Sequence, residues 1–141
     1  MRTIVGVLSL LGWLLYIGQL VSVVNFPLAQ RLGLQESADS ADPMLQPMEF
    51  RAAAWDLLWL WTMPAAGILM LINHEWWPYA AMIGGGAWVD TGGREAAKIL
   101  GLRKHGVRTG SQSEHNLAMG VFAYFIIIGL LAIGLGLIEV L

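Results

Sequence analysis

The sequence predicts an all-α protein, an antiparallel four-helix bundle that lies in a membrane. Of its 141 residues, 57% are apolar and 13% are charged, whereas about 25% of the residues of a soluble domain are charged. Two long runs, Thr3–Val24 and Leu117–Ile138, hold no charged residue, and about 20 apolar residues are enough to cross a bilayer. Two further apolar runs lie between them. We therefore predict a single domain, residues 1–141, with helices at about 3–25, 49–72, 77–100 and 112–139.

Composition excludes several classes of partner and cofactor. The net charge of −2 does not suggest a nucleic-acid partner. Because the chain has no cysteine, it has no thiolate catalyst and no cysteine-ligated metal. A transmembrane haem needs two histidines at one depth, but His74 lies at the opposite end of the predicted bundle from His105 and His115. We expect neither a metal nor another cofactor.

The first predicted helix is interpreted as a retained membrane span rather than a cleaved signal peptide. The uncharged stretch Thr3–Leu28 is much longer than the apolar region of a signal peptide, which has about 7–15 residues. Gln19 is a polar residue within this span. The loop that follows, residues 26–48, contains the acidic segment Gln35–Pro43, whose composition is typical of an exposed loop.

The second predicted helix contains an aspartate and a proline. Asp56 lies inside the apolar run, and an ionisable group at membrane depth is costly enough to suggest a function. The alternative is an interfacial carboxylate that only meets water. Pro64 cannot donate a backbone hydrogen bond to the carbonyl of Leu60, so we predict a kink near Leu60–Pro64. The turn at residues 73–75 is short and is followed at once by two tryptophans. This pattern predicts a tight hairpin with an interfacial tryptophan belt.

The third predicted helix starts near Pro78, since proline is favoured in the first turn of a helix. It contains three consecutive glycines, Gly84–Gly86, which a membrane helix tolerates where a neighbouring backbone or a ligand approaches closely. The segment Arg94–Leu100 is predicted to be a short amphipathic extension of this helix. In that extension Ala96, Ala97 and Leu100 would oppose Arg94, Glu95 and Lys98.

The fourth predicted helix begins with a capping-box pattern. Ser111 would accept a hydrogen bond from the first helical amides, and the Glu114 side chain would reach back to the amide of Ser111. In the second half of the helix, Ala132 and Gly136 form a pair of small residues four positions apart. Such a pair is suited to close contact with another helix.

The distribution of basic residues predicts the orientation of the chain. Loops 26–48 and 101–111, with their flanks, hold seven of the eight Lys and Arg residues, and the other side holds only Arg2. Basic residues are enriched in cytoplasmic loops. We therefore predict that both loops are cytoplasmic and that both termini are outside, in a bacterial inner membrane.

The Asp56 side chain is expected to face the interior of the bundle, because a carboxylate that faces lipid has no partner. Helical periodicity then fixes which residues share its face. The residues expected to face inward with Asp56 are Leu60, Met63 and Gly67, and those expected to meet lipid are Leu58 and Trp61.

Antiparallel order brings polar residues of all four helices into the predicted cytoplasmic half of the bundle. Asp90 and Arg94 have the spacing of a helical ion pair, which is either a structural tie or part of a site. His115 is either a surface residue or a ligand contact, and the aromatic residues either pack and anchor or form a wall. The candidate ligand-binding residues are Asp56, Asp90, Arg94, Gln19 and His115, with Trp59, Trp88 and Tyr124 as the wall.

Three functions fit these features. The first is a protein that binds or transports a small or lipid-like molecule in this polar pocket, and a cavity inside the bundle would favour it. The second is a structural or accessory subunit of a membrane complex, which a flat, small-residue face exposed to lipid on the fourth predicted helix would favour. The third is a lipid-active enzyme that uses Asp56 or Asp90 as an acid or base, although no second catalytic group is evident. The expected partners are membrane lipid and either further copies of the chain or a larger membrane complex.

Overall fold

The computed structural model describes all 141 residues, and they form seven helices. There is no strand, and one isolated antiparallel bridge joins Ala41 and Thr109. The prediction of an all-α fold is therefore confirmed. The helices are α1 (Arg2–Leu10), α2 (Gly12–Val24), α3 (Phe26–Arg31), α4 (Leu45–Asp56), α5 (Thr62–Leu71), α6 (Trp77–Lys104) and α7 (Gln112–Val140).

Two helical stretches are long and apolar enough to cross a membrane. One is Arg2–Val24, which comprises α1 and α2, and the other is α7, Gln112–Val140. Only their length and apolar composition identify these stretches as possible membrane spans, and the core helix of a soluble protein can have the same length and composition. The predicted second span is divided into α4 and α5, and neither these helices nor α6 are both long and apolar enough. Four membrane spans therefore stay a prediction.

The chain runs back and forth between two ends of the molecule. At one end, the loops before α4 and before α7 pack on each other, and the amide of Asp42 donates to the carbonyl of Arg108 at 2.8 Å. We call this the loop end. At the opposite end, the Arg2 guanidinium donates to the side chain of Asn73 in the turn between α5 and α6. The two loops that are predicted to be cytoplasmic thus share one end of the molecule.

Glycines allow the two longest helices, α6 and α7, to pack closely. A Cβ atom on Gly85 would lie 2.6 Å from the carbonyl oxygen of Gly129, so the two backbones almost touch. Ala132 and Gly136, the small pair noted in the sequence, are buried in the same contact. Close approach of this kind gives extensive van der Waals contact between helices.

The helical path breaks between α4 and α5, in the region where Pro64 predicts a kink. Pro64 has no amide hydrogen, so the carbonyl of Leu60 lacks its helical donor. The indole Nε1 of Trp88 on α6 donates to this carbonyl at 3.2 Å. Trp88 is fully buried against Tyr124 and Phe125 of α7, with ring centroids 5.4 and 4.8 Å away. An aromatic side chain of one helix therefore satisfies the backbone group that the proline leaves unpaired in another.

This bond gives a first prediction. Replacing Trp88 with Phe should destabilise the protein by about 1–3 kcal/mol, because a buried carbonyl loses its donor. In a Pro64→Ala background the loss should be smaller, since the new amide at position 64 can donate to Leu60. Thermal unfolding of the two single variants and the double variant in detergent gives the coupling. Strictly additive effects would show that the indole bond contributes nothing.

Candidate functional site

Charged side chains from two helices meet near the loop end of the molecule. They come from Glu49 and Asp56 on α4, which are seven residues apart and so lie on one face, and from the second half of α6. We call the five residues Glu49, Asp56, Arg94, Glu95 and Lys98 the charged cluster.

The shortest contact with α4 is an ion pair between Asp56 and Arg94. Arg94 Nη2 lies 2.5 Å from Asp56 Oδ1, and the hydroxyl of Thr91 donates to the same oxygen at 3.4 Å. Only 2% of Asp56 is exposed, whereas 36% of the Arg94 side chain is exposed. The predicted inward direction of Asp56 is confirmed, and so are the faces, because Leu60, Met63 and Gly67 are buried while Leu58 and Trp61 are exposed.

Lys98 connects the remaining two carboxylates. Its Nζ atom lies 2.8 Å from Glu49 Oε1 and also contacts Glu95 Oε2. Arg94 Nη1 is 3.7 Å from Glu95 Oε1, so Glu95 lies between the two cations. With all groups ionised, three carboxylates face two cations. The charged cluster therefore has one negative charge in excess.

The segment Arg94–Leu100 is not the surface extension that its composition predicts. The helix continues to Lys104, and Glu95 and Ile99 are buried. Leu100, on the apolar side of the predicted extension, is 51% exposed. The charged side turns inward because α4 presents Glu49 and Asp56 opposite it. In a surface helix of a soluble protein, charged side chains face water and leucine faces the core. This segment of α6 shows the reverse arrangement.

Arg94 has a different main partner from the one that helical spacing predicts. Asp90 Oδ2 lies 3.7 Å from Arg94 Nε, farther than Asp56, and the Asp90 side chain is 69% exposed. The expected i, i+4 contact is thus present but long. Spacing within one helix could not reveal Asp56, which is 38 positions away in the chain.

The other predicted site residues form no hydrogen bond or ion pair with the charged cluster. Trp88 and Tyr124 pack together, and the Tyr124 hydroxyl donates to the carbonyl of Leu8 at 2.6 Å. Trp59 is exposed. Gln19 and His115 are half-buried, and neither forms a hydrogen bond or ion pair with Asp56. The structure therefore brings Asp56 to Arg94 and Trp88 to Tyr124, but it does not gather all eight residues.

Three members of the charged cluster were not among the predicted site residues. Glu49, Glu95 and Lys98 lie near predicted helix ends, where charges are normally solvated. Helical spacing is the feature of the sequence that could have identified them. Thr91, Glu95 and Lys98 follow one another at intervals of four and three residues and therefore lie on one face of α6. A matching face on α4 carries Glu49 and Asp56.

Beside the charged cluster, Glu114 joins the two loops of the loop end. The predicted capping box is present: Ser111 Oγ accepts from the Glu114 amide, and Glu114 Oε2 accepts from the Ser111 amide at 2.6 Å. The same carboxylate accepts from the Ser37 amide at 3.1 Å and from the Ser40 hydroxyl at 2.9 Å. Glu114 precedes the uncharged run Leu117–Ile138, so these contacts lie at the end of α7.

These hydrogen bonds predict how stability depends on pH. The donors from Ser111, with further donors from Ser37 and Ser40, lower the pKa of Glu114 from 4.5 to about 2. The carboxylate therefore contributes stability that is complete above pH 4.5 and is lost as the pH falls toward 2. Melting temperature in detergent should fall over this window, and it should fall less in Glu114→Gln. Equal slopes in the two proteins would contradict the role of Glu114.

Two surface clefts lie away from the packed rings of Trp88 and Tyr124. One, of about 450 Å³, opens at the end opposite the loop end. The other, of about 110 Å³, lies between the first loop and α4 and reaches Glu49. Neither is lined by Asp56, Trp88 or Tyr124.

The arrangement is suited to neutralising buried charge rather than to a recognisable reaction. No three side chains of the types His, Asp and Glu are placed to hold a metal ion. Arg94 and Lys98 satisfy the carboxylates of the charged cluster, and buried carboxylates persist in this way only when they are paired. Comparisons with models of protein families, with curated proteins and with solved structures gave no match.

Proposed function

We propose that the chain is a small integral membrane protein that crosses the bilayer four times. The spans would be α1 with α2, α4 with α5, most of α6, and α7 from Leu117 onward. Large apolar side chains cover the outside of these helices, including Ile4, Leu14, Ile83, Leu100 and Leu130. The charged cluster lies inside instead. An apolar exterior around a paired polar interior is the pattern expected of a helix bundle in lipid.

The excess of basic residues supports an orientation with loops 26–48 and 101–111 in the cytoplasm of a bacterial cell. Because the chain has no cysteine, single cysteines report position cleanly. His105→Cys and His74→Cys place exposed thiols at opposite ends of the molecule. An impermeant maleimide should label only position 74 in intact cells. Labelling of position 105 alone would reverse the orientation, and labelling of both would contradict the four spans.

Within the membrane, we propose that the protein is an accessory subunit that binds a helix of another membrane protein along α6. The exposed Asp90 carboxylate carries this proposal. Asp90 follows Trp77, the first residue of α6, by thirteen positions, or about 20 Å of helix, while the hydrocarbon core is about 30 Å thick. A carboxylate at that depth is costly when it faces lipid. Its contact at 3.7 Å with Arg94 compensates only part of its charge.

The surroundings of Asp90 leave room for a partner helix. A Cβ atom on Gly86, Gly93 or Gly101 would meet nothing within 4 Å, and Ala97 on the same face is exposed. Small residues let helices approach closely in membranes. The partner would present small residues and a basic or amide side chain opposite Asp90.

Photo-crosslinking in native membranes tests this proposal. A photoreactive amino acid at Gly93 should give a defined adduct with another protein, and Asp90→Leu should abolish it. The control position is Gly120, which also has open space but lies on α7. Equal adducts from both positions, or none from Gly93, would contradict the proposal. An adduct of the chain with itself would replace the accessory subunit by a homo-oligomer.

The binding of a lipid-like molecule among Asp56, Arg94 and Trp88 has less support. Such a ligand would have to separate Arg94 from Asp56 at 2.5 Å. It would also have to enter a region that neither surface cleft reaches. A lipid-active enzyme has less support as well, because Arg94 and the Thr91 hydroxyl already engage the Asp56 carboxylate, and the ion-pair partner of Asp90 is the same Arg94.

A further inference from the structure

The cleft between the first loop and α4 combines acidic, amide and apolar groups. It measures about 110 Å³, well above the roughly 10–15 Å³ that a single water molecule needs. Both polar and apolar side chains line it, and the carboxylate of Asp42 is among them. The lining residues that matter here are Glu36, Glu49, Gln30, Gln46, Phe26 and Leu45.

The carboxylates of this cleft lack enough positive charge. Glu49 shares Lys98 with Glu95, and the charged cluster already has one negative charge in excess. Glu36 adds a second, because its side chain forms no ion pair. Burial is the main cause that raises the pKa of the Glu36 carboxyl, and the Glu49 and Glu114 carboxylates act in the same direction, whereas a backbone hydrogen bond and the charge of Lys98 lower it. An external cation would stabilise this group of charges.

The apolar lining residues of the cleft favour an organic cation over a metal ion. Phe26 and Leu45 are buried residues that line it, and they offer no ligand to a metal. No set of three His, Asp or Glu side chains has a metal-binding arrangement. Gln30 already uses its amide nitrogen, which donates to the carbonyl of Glu36 at 2.9 Å.

We propose that this cleft binds a small alkylammonium ion, with its charged head between Glu36 and Glu49 and its hydrocarbon chain against Phe26 and Leu45. The head would form charge-assisted hydrogen bonds with the carboxylates. The alkyl chain of the ion would be removed from water on binding, which favours binding. This site lies at the loop end and does not use the exposed face of α6, so it is independent of the proposed assembly function.

Isothermal titration calorimetry of the full chain in a non-ionic detergent tests the site. The probe is n-butylammonium chloride at constant ionic strength, and n-butanol is the neutral control. Butylammonium should bind saturably and butanol should not. Glu36→Gln should weaken binding about tenfold or more, since a hydrogen bond to a charged group contributes about 1.5–3 kcal/mol. Asp39→Asn removes an exposed carboxylate of the same loop outside the cleft and should leave binding unchanged.

A second variant keeps the proposal testable if Glu36→Gln does not fold. Gln46 is an exposed residue of the cleft, and Gln46→Lys would place a tethered ammonium there that should block butylammonium. The absence of saturable binding, unchanged affinity in both variants, or equal binding of butanol would overturn the proposal. Competition between magnesium chloride and butylammonium would also overturn the proposal, because the carboxylates would then bind a metal ion.

Discussion

Replacing Arg94 with Met should destabilise the protein more than removal of any other charge in the cluster. Asp56 would keep only the hydroxyl of Thr91, at 3.4 Å, while it remains 2% exposed. Removing one member of a buried ion pair costs about 3–5 kcal/mol. We expect the lower end, about 3 kcal/mol, because 36% of the Arg94 side chain is exposed and solvent screens that part.

Two further variants identify the interaction responsible. Asp90→Asn should cost about 1 kcal/mol or less, since the Asp90 side chain is exposed and 3.7 Å from Arg94. In Asp56→Asn with Arg94→Met, one carboxylate and one cation are removed together, so the net charge of the charged cluster is unchanged and much of the loss should be recovered. The measurement is thermal or denaturant unfolding in detergent. An effect of Arg94→Met no larger than that of Asp90→Asn would show that Asp56 is solvated or paired elsewhere.

Local signals in the sequence predict much of this fold. The uncharged runs locate α1 with α2 and α7, Pro64 locates the break after α4, and the Ser111 capping box locates the start of α7. Each of these depends on neighbours within a few residues. The helix boundaries are less accurate where no such signal exists, as at the division of the predicted second span.

The charged cluster depends on contacts that sequence spacing does not encode. Whether Glu95 faces water or protein is decided by α4, nearly forty residues earlier, and composition alone favours water. Asp56 could be predicted to face inward because its own helix carries the apolar stripe. Its partner could not be predicted, since Arg94 is as well spaced for Asp90 on the same helix.

The sequence does not predict the exposed charge of Asp90, for a related reason. A helical pair at i and i+4 is normally sufficient to explain both members. The structure turns Arg94 toward Asp56 and leaves Asp90 outside. The sequence therefore suggests that Asp90 is fully paired, whereas in the structure its carboxylate still lacks a close partner. For this reason α6 rather than α7 is the proposed assembly surface.

The three consecutive glycines of α6 should differ sharply in their tolerance of a methyl group. A Cβ atom on Gly84 would lie 2.7 Å from the Cα of Met63, and one on Gly85 would lie 2.6 Å from the carbonyl oxygen of Gly129. These are backbone atoms of α5 and α7, which cannot rotate away. On Gly86, a Cβ atom would meet nothing within 4 Å.

We therefore expect Gly84→Ala and Gly85→Ala each to destabilise the protein by about 1–3 kcal/mol, because overpacking forces the helices apart. Gly86→Ala should be neutral or stabilising by up to about 1 kcal/mol, since alanine favours the helix and meets no neighbour. Unfolding in detergent compares the three variants directly, and Gly86 is the matched control because it has the same helix and almost the same depth. If all three variants agreed within about 0.5 kcal/mol, the close approach of α6 to α5 and α7 would be wrong. If only Gly85→Ala lost stability, the backbones of α6 and α7 would be in close contact but those of α6 and α5 would not. The helix α5 could then shift around Pro64.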